Sequence, residues 1–240
     1  MKSALIAWRD LSAYLTGFYG YAIIALLLLI QGVLFQAFAL GGGALESAEV
    51  LNRFFLTSTW ATGFAAWLLS MRAIAEERQT RTELVLHTSP VNDWHIIIGK
   101  YIAVMGMVIL FLVCTLHMPA MILVHGKVSM GHVVVGYTGL FFYGSASAAI
   151  GIFASSLVRT QVFAVILSGA LIAMLALVFW LASVTEPPFT QVFEYGALYN
   201  KHMPPFHEGR MGLKHVIYFI TVTGLFLTLA QNTLNQRRWQ

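Results

Sequence analysis

Few side chains in this sequence are both chemically reactive and placed where they could take part in catalysis. The first two candidates are Ser145 and His117. Ser145 follows Gly144 in one apolar stretch, and His117 lies deep in another. A serine nucleophile activated by a histidine base would cleave an acyl bond within a membrane. However, the dipeptide Gly-Ser is common, and no third catalytic feature stands at a defined spacing. We therefore interpret both residues as packing groups, with His117 neutral and hydrogen-bonded at the helix gap that Pro119 opens.

A second set of candidate ligands is a run of histidine and methionine in the last fifth of the chain. These side chains suit soft or borderline metals such as copper. Their spacing matches no compact site, and Pro204-Pro205 breaks any helix between them. The sequence therefore predicts no metal site, and we expect short helices and a proline-rich turn instead. The run comprises His202, Met203, His207, Met211 and His215.

The sequence carries no motif for binding nucleotide phosphates. Gly126-Lys127 lacks both the upstream glycine and the following serine or threonine that a phosphate-binding loop requires. In addition, no Asp or Glu lies well inside an apolar stretch, whereas ion-coupled carriers usually need such groups near the membrane midplane. We therefore predict no cofactor and no ATP hydrolysis by this chain itself. An ion-coupled carrier is disfavoured by the same observation.

Charge is concentrated in one segment, Met71–Lys100, which lies between two apolar runs. Thr80 and Glu83 have capping-box spacing, so a short helix is predicted to begin there and to end at Ser89-Pro90. Leu84-Val85-Leu86 would form its apolar face. A short helix held between two membrane helices suits insertion into the groove of a partner protein. The residues alone are explained nearly as well by a solvated loop.

The composition places these segments in a membrane. The 240 residues are 58% hydrophobic and 10% charged, whereas soluble domains carry about a quarter charged residues. The apolar runs are continuous, which indicates membrane helices rather than a barrel. The prediction is an all-α polytopic membrane protein with a single domain over residues 1–240. Its parts are an N-terminal amphipathic interfacial helix at 1–18, six transmembrane helices at 19–40, 54–74, 96–124, 133–157, 162–184 and 215–234, a short helix at 79–90, and an external cap with short helices at 185–214.

Six spans place both termini on the same side of the membrane. The 14 Lys and Arg residues divide into nine on the side of the charged segment and five on the other side. This bias predicts that both termini and the charged segment are cytoplasmic. The first span is expected to stay uncleaved despite Ala37-Phe38-Ala39, because its apolar run is too long for a signal sequence. The net charge of +4 is small and gives no indication of nucleic-acid binding.

Two further features concern packing. In the predicted fourth span, Gly144 and Ala148 are four residues apart, as are Gly151 and Ser155. Small residues at this spacing let membrane helices approach closely. The only cysteine, Cys114, lies in an apolar run and is expected to be packed in the interior.

Short motifs occur along nearly the whole chain, and the most specific of them lie in and around the charged segment. Three residues of the predicted external cap, His202, Phe206 and Gly209, belong to the same set. The other positions are Trp8-Arg9-Asp10-Leu11 with Tyr14, Gly32, Ile74-Ala75-Glu76-Glu77-Arg78, Thr82-Glu83-Leu84 with Leu86, Thr88-Ser89-Pro90-Val91, Gly99-Lys100-Tyr101, Tyr218, and Arg237-Arg238-Trp239. Together these motifs resemble those of ABC-2 type transporter permeases, most of all the gliding-motility-associated permease subunit.

The resemblance implies the membrane-spanning permease subunit of an ATP-binding-cassette exporter in the bacterial cytoplasmic membrane. ATP would be bound by a separate cytoplasmic ABC ATPase dimer, and a second permease subunit, identical or different, would complete the complex. An extracytoplasmic accessory domain is compatible with this arrangement. The helix at 79–90 would be the coupling helix. The implied ATPase-coupling interface comprises Glu76, Glu77, Arg78, Thr82, Glu83, Leu84, Leu86 and Pro90.

Two other classes of function remain open from the sequence. One is a polytopic membrane enzyme, and the other is an ATP-independent secondary carrier. The substrate of an exporter is not indicated by any motif.

Overall fold

A computed structural model of the protein describes residues 2–41, 46–80, 92–126, 128–185 and 189–238. All regular secondary structure in these ranges is helical, which confirms the predicted all-α class. A π-helical turn at Phe35–Leu40 extends the second helix. In chain order the α-helices are α1 (Lys2–Thr16), α2 (Phe18–Leu34), α3 (Ser47–Ser70), α4 (Arg72–Gln79), α5 (Asp93–Thr115), α6 (His117–His125), α7 (Met130–Leu157), α8 (Gln161–Val184), α9 (Phe189–Gly196), α10 (Pro204–His207) and α11 (Leu213–Arg238).

Five stretches of helix within the described ranges are long and apolar enough to cross a membrane. Helix α3, which contains most of the predicted second span, is not among them, although it is 24 residues long. It carries Glu49 and Arg53 near its start and a band of buried threonine and serine, which lower its hydropathy. The number of spans therefore stays a prediction. The five stretches are Phe18–Leu40, Asp93–Val124, Met130–Leu157, Gln161–Ala182 and Leu213–Gln236.

Helix α7 lies at the centre of the bundle, where it packs against α3, α5, α8 and α11. Its glycines permit this close packing. A Cβ atom added to Gly139 would stand 2.6 Å from the Phe206 side chain, and one added to Gly144 would stand 3.1 Å from Thr62 and Val108. Helix α8 lies at the periphery, because only 11% of its most apolar stretch is buried.

The helix is interrupted at Met71, between α3 and α4. This interruption lies inside the range 54–74 that the sequence predicts as one span. The Ser155 hydroxyl accepts hydrogen bonds from the backbone N–H groups of Ile74 (3.1 Å) and Ala75 (2.9 Å). It donates to the carbonyl of Met71 at 3.0 Å. Those two N–H groups would otherwise bond carbonyls one turn earlier in a continuous helix. The Ser155 side chain of α7 thus takes the place of the backbone carbonyls that would accept these two hydrogen bonds in a continuous helix.

A second break separates α5 from α6 at Leu116, as expected from Pro119. Proline has no N–H to donate to the carbonyl four residues earlier, so the helix is interrupted one turn before it. The His117 ring nitrogen Nδ1 lies 2.7 Å from the carbonyl oxygen of Cys114 and compensates for one lost bond. Contrary to expectation, Cys114 is exposed on the outer surface of the bundle. Val113 and Leu116 are exposed with it, whereas Leu112 and Thr115 are buried.

Candidate functional site

Helix α4 leads into the predicted coupling segment, and it is tied by polar contacts to four other helices. The first contact is a cluster of four charges, Arg9 and Asp10 from α1, Glu77 from α4 and Lys100 from α5. The Lys100 ammonium nitrogen lies 2.9 Å from Glu77 Oε1 and 3.2 Å from Asp10 Oδ2. One guanidinium nitrogen of Arg9 lies 2.7 Å from Asp10 Oδ1 and 2.8 Å from Glu77 Oε1. Two cations and two anions therefore balance one another.

The burial of Lys100 makes this cluster energetically important. Its side chain is only 3% exposed, whereas Arg9 is 56% exposed. A buried ammonium group is stable in a membrane protein only when carboxylates compensate for its lost hydration. The two carboxylates come from different helices, so the cluster holds α1, α4 and α5 together at one end of the bundle.

Further polar contacts surround the cluster. The buried Tyr14 hydroxyl donates to the carbonyl of Leu69 at 2.9 Å, and burial raises the pKa of Tyr14, which keeps this donor protonated. Arg72 is paired with Glu76, and that hydrogen bond raises the pKa of Arg72. A polar cavity of about 250 Å³ lies here, and its lining includes Tyr14, Arg72, Glu76, Asp10, Glu77 and Lys100.

The contacts of α4 with α7 and α8 involve Arg78 and Gln79. The Arg78 guanidinium donates to the carbonyls of Ser156 (2.5 Å) and Val158 (3.1 Å), where α7 ends. A cation at a helix C-terminus is favoured by the helix dipole and by the unpaired carbonyls there. The side-chain oxygen of Gln79 accepts a 3.5 Å hydrogen bond from the backbone of Gln161, the first residue of α8. Helix α4 therefore bridges the adjacent ends of α7 and α8.

The predicted ATPase-coupling residues divide into two groups. Glu76, Glu77 and Arg78 lie on α4 and make the contacts described above. Thr80 ends α4, and its hydroxyl donates to the carbonyl of Glu76 at 2.9 Å. The remaining five residues, and the predicted coupling helix after residue 80, lie outside the described residues. They are Thr82, Glu83, Leu84, Leu86 and Pro90.

The four small residues of the predicted fourth span all lie buried on α7. Gly144 faces α3 and α5, and Ala148 is fully buried. A Cβ atom added to Gly151 would collide with the Ser70 hydroxyl and stand 2.7 Å from Ser70 Cβ. Ser155 binds the backbone at the break between α3 and α4.

The structure gives Ser145 and His117 separate hydrogen-bond partners. The Ser145 hydroxyl lies 2.6 Å from the Tyr101 hydroxyl and 3.0 Å from the Thr223 hydroxyl. This group links α5, α7 and α11, as expected for polar residues that join membrane helices. His117 bonds instead to the carbonyl of Cys114, at the end of α5. The geometry therefore provides no serine–histidine pair.

The predicted external cap packs on the end of the bundle opposite α4 and contains His202, Phe206 and Gly209. His202 and Phe206 are fully buried, and Gly209 adopts a φ of 76°, a region that favours glycine. The His202 ring stacks on Tyr218 at 3.7 Å, and its Nδ1 lies 3.0 Å from Nδ1 of His215. Its Nε2 lies 3.2 Å from the Tyr195 carbonyl, which can only accept and therefore fixes the proton on Nε2.

His207 connects the cap to α3 and α7. Its Nε2 lies 2.8 Å from the Thr59 hydroxyl, and its backbone carbonyl accepts from His132 Nε2 at 2.6 Å. Among the described residues, no three His, Cys, Asp or Glu side chains come close enough together to hold a metal ion. The cap histidines thus act as hydrogen-bonding groups in this arrangement.

The cap is expected to loosen in acid. Burial lowers the pKa of both His202 and His207 to about 4, below the ordinary value of 6.5. In the unfolded chain a histidine takes up a proton below pH 6.5, whereas burial in the cap opposes this protonation. The contribution of these histidines to the free energy of unfolding is therefore fully present above pH 6.5 and falls as the pH drops toward 4. We expect the midpoint of thermal unfolding to fall over this interval, measured in detergent micelles.

Variants separate this effect from general acid denaturation. Replacing both histidines, as His202→Asn with His207→Gln, is expected to flatten the pH slope between 6.5 and 4, whatever the variant does to stability at pH 7. His95 provides a control, because it is exposed. The substitution His95→Gln is expected to leave the pH slope unchanged. An unchanged slope in the double variant would contradict the assignment.

An apolar pocket of about 260 Å³ lies between α3 and α8, below the cap. Its walls include Trp60, Phe64 and Trp67 from α3 and Ile172 and Ala173 from α8. Two glycines let aromatic rings of the lining pack closely, since a Cβ atom added to Gly63 would stand 3.0 Å from the Tyr143 ring and one added to Gly169 would stand 2.5 Å from the Trp67 ring. The Trp67 indole N–H donates to the carbonyl of Val165 (3.0 Å) and to the Ser168 hydroxyl (2.8 Å). The other lining residues are Ala176 from α8, Tyr143 from α7, and Leu198 and Tyr199 from the cap.

The sequence prediction assigned no role to the charge cluster or to this pocket. A signal for the cluster was present, because Lys100 lies inside a predicted span and a charge there requires a partner. The choice of Asp10 and Glu77 as partners depends on which helices meet. The pocket had no sequence signal, because tryptophan and phenylalanine are ordinary residues in membrane spans.

Comparison with protein-family models gives a match. Residues 46–207 match the sequence model of the family described as ABC-2 family transporter protein. This range runs from the start of α3 to the end of α10, about two thirds of the chain, and includes α4 and the predicted coupling segment. No curated protein matches the chain.

Proposed function

We propose, starting from the fact that this chain belongs to the ABC-2 transporter family, that it couples ATP hydrolysis by a separate cytoplasmic ATPase to export. Five apolar helical stretches agree with a multi-pass membrane subunit. The family implies a partnership with an ABC ATPase subunit and a membrane subunit without its own nucleotide site. The proposal assigns the coupling segment to residues 79–90.

The observation that carries this assignment is the set of contacts made by α4. Residue 79 ends α4, so any displacement of the following segment acts first on this helix. Ser155 and Arg78 attach α4 to α7 through four hydrogen bonds with the backbone on either side. Glu77 attaches it to α1 and α5 through ion pairs. Helix α4 is thus tied to the ends of three membrane helices and the interfacial helix.

These contacts indicate how movement would be transmitted. Closure of an ATPase dimer would shift the coupling segment, and α4 would carry the ends of α5, α7 and α8 with it. The break at Met71 separates α4 from α3, so α4 can tilt without bending the long helix. A rigid element with few flexible joints transmits a displacement better than a solvated loop.

The finer features of the complex are part of the same proposal. It includes six spans with α3 as the second, both termini in the cytoplasm, and a location in the bacterial inner membrane. A cytoplasmic ATPase dimer and a second permease, identical or different, would complete the complex. On motifs alone, the gliding-motility-associated permease subunit remains the most similar type. Mass spectrometry of the intact purified complex would distinguish a homodimeric from a heterodimeric permease.

The coupling proposal is tested by two substitutions in the segment. We expect Glu83→Arg and Leu84→Asp each to reduce the amount of ATPase subunit that copurifies with the tagged chain about tenfold, a loss of ~1.4 kcal/mol. The first reverses a charge, and the second places a charge on the predicted apolar face. The measurement is the ratio of ATPase to permease in the purified complex, together with its rate of ATP hydrolysis.

Matched controls lie on the cap, at the other end of the bundle. Glu208→Arg and Met211→Asp make the same kinds of change at exposed positions there. Both controls are expected to retain the ATPase. The proposal fails if all four variants bind and stimulate the ATPase equally.

A further inference from the structure

The apolar pocket between α3 and α8 is closed at both ends. At the end near the cap, the Trp60 ring meets the Tyr199 ring with centroids 5.2 Å apart. At the other end, Trp67 bridges to α8 through its two hydrogen bonds. A helix is about 10 Å wide and would need an open-ended groove. The pocket therefore fits a segment of a small molecule better than a helix of a partner protein.

The lining selects for an uncharged, apolar occupant. The described residues that line it include no carboxylate, lysine, arginine or histidine. The indole N–H of Trp67 is already bonded within the protein. A charged group placed here would lose its hydration without gaining a counter-ion.

The volume of the pocket is large enough for several carbon atoms of a hydrocarbon chain. A dry cavity of about 150 Å³ lined by apolar side chains binds benzene. The pocket has a volume of about 260 Å³, so it accommodates a longer hydrocarbon segment. Aromatic walls contribute large contact areas to such an occupant.

The pocket opens toward the region that the bilayer occupies. Trp60 and Phe64 at its rim are 45% and 46% exposed, on α3, which is proposed to cross the membrane. Helix α8, the opposite rim, is almost entirely unburied along its most apolar stretch. A molecule dissolved in the bilayer can enter sideways between α3 and α8 without crossing water.

From this geometry we infer that the pocket binds the hydrocarbon chain of an amphiphile that enters from the bilayer. The chain lies against Tyr143 at the floor, and its polar end stays outside the pocket. The exported cargo is accordingly a lipid or lipid-like amphiphile rather than a free sugar or ion. This last step rests on the proposed export function, whereas the binding of the chain does not.

Photolabelling tests the binding directly. The full chain is placed in lipid nanodiscs that contain phosphatidylcholine with a diazirine in the middle of one acyl chain, and adducts are located by mass spectrometry after illumination. Tyr143 is the diagnostic residue, since it lines the pocket and is only 3% exposed. Lipid that stays on the outer surface does not reach it, so we expect adducts on Tyr143 in the unaltered protein.

Two alanines of α8 provide a matched pair of variants. Ala173 lines the pocket, whereas Ala170 is exposed on the same helix and is not part of the lining. Ala173→Phe fills the pocket and is expected to reduce the Tyr143 adduct about tenfold, which corresponds to ~1.4 kcal/mol. Ala170→Phe is expected to leave it unchanged. Thermal unfolding of both variants shows whether each is folded.

The possible outcomes decide between occupants. Absence of the Tyr143 adduct in the unaltered protein, or equal adducts in the two alanine variants, would overturn the inference. Crosslinking of two copies through Phe64→Cys, together with a missing Tyr143 adduct, would assign the pocket to a permease interface instead. No ATPase is needed for labelling, so failure of the ATPase-docking test leaves this result intact.

The cargo step has its own measurement. Once the ATPase complex is purified, the same phosphatidylcholine is expected to stimulate ATP hydrolysis in the unaltered protein and in Ala170→Phe, but not in Ala173→Phe. Labelling without such a difference would keep the lipid site and reject its role in export.

Discussion

Replacing Lys100 by methionine is expected to destabilise the protein by about 2–4 kcal/mol, because it leaves two poorly hydrated carboxylates facing each other. Methionine keeps most of the side-chain volume and removes the charge that compensates for Asp10 and Glu77. The carboxylates retain Arg9, which sets the expected effect below that of a fully unpaired charge. The measurement is the free energy of unfolding in mild detergent, obtained by denaturant titration.

A double-mutant cycle and a control make this prediction specific. Lys100→Met combined with Glu77→Gln is expected to lose less stability than the sum of the single variants, by about 1 kcal/mol or more. Lys201→Met removes a partly exposed lysine that is paired with Glu194 on the cap, and it is expected to change stability by less than about 1 kcal/mol. Strict additivity in the cycle would show that the cluster does not act as a unit.

The same substitution addresses the proposed coupling. In the purified complex with its ATPase, Lys100→Met is expected to weaken the dependence of ATP hydrolysis on the permease, because α4 loses its ion pair with α5 and keeps only the Arg9–Glu77 pair with α1. Lys100→Arg restores a cation in the cluster and is expected to recover part of this dependence. If Lys100→Met loses stability but keeps full coupling, the cluster has only a structural role.

Replacing Gly151 by alanine is expected to destabilise the protein by about 1–3 kcal/mol, the usual cost of overpacking a tight contact. The added methyl group would collide with the Ser70 side chain and force α3 away from α7. These two helices also hold the break at Met71, so their separation disturbs the attachment of α4. The free energy of unfolding again provides the measurement.

Gly224 on α11 is the matched control for Gly151. A Cβ atom added to Gly224 meets nothing within 4 Å. Gly224→Ala is therefore expected to be neutral, or stabilising by about 0.5–1 kcal/mol, as in other helix interiors. Ser70→Gly is expected to relieve part of the Gly151→Ala defect, since it removes the atoms that collide. Equal effects of the two glycine variants would contradict the close approach of α3 and α7.

The charge cluster and the apolar pocket lie at different ends of the same bundle, and they divide the proposed function between them. The cluster and α4 concern the response to the ATPase, while the pocket concerns the cargo. Helix α3 takes part in both, since it carries the pocket tryptophans and ends at the break that precedes α4. A test of one feature therefore does not decide the other.

Several properties of this protein are determined by the sequence itself, because they depend on neighbouring residues. Continuous apolar runs can satisfy their backbone hydrogen bonds in a bilayer only as helices, so the all-α membrane class follows from composition. Pro119 interrupts its helix because it lacks an N–H group, and the break at Leu116 lies where this local rule predicts it. Local motifs were likewise enough to indicate the ABC-2 permeases.

Other features were decided by the tertiary structure alone. The break at Met71 is produced by the hydroxyl of Ser155, which lies 84 residues further along the chain. The partners of Lys100 come from two helices that are distant from it in sequence. Cys114 faces outward although it lies in a largely apolar run, because a membrane helix can present apolar residues on all sides. The pocket is lined by residues of α3, α7, α8 and the cap that are far apart in sequence, so its existence depends on which helices meet.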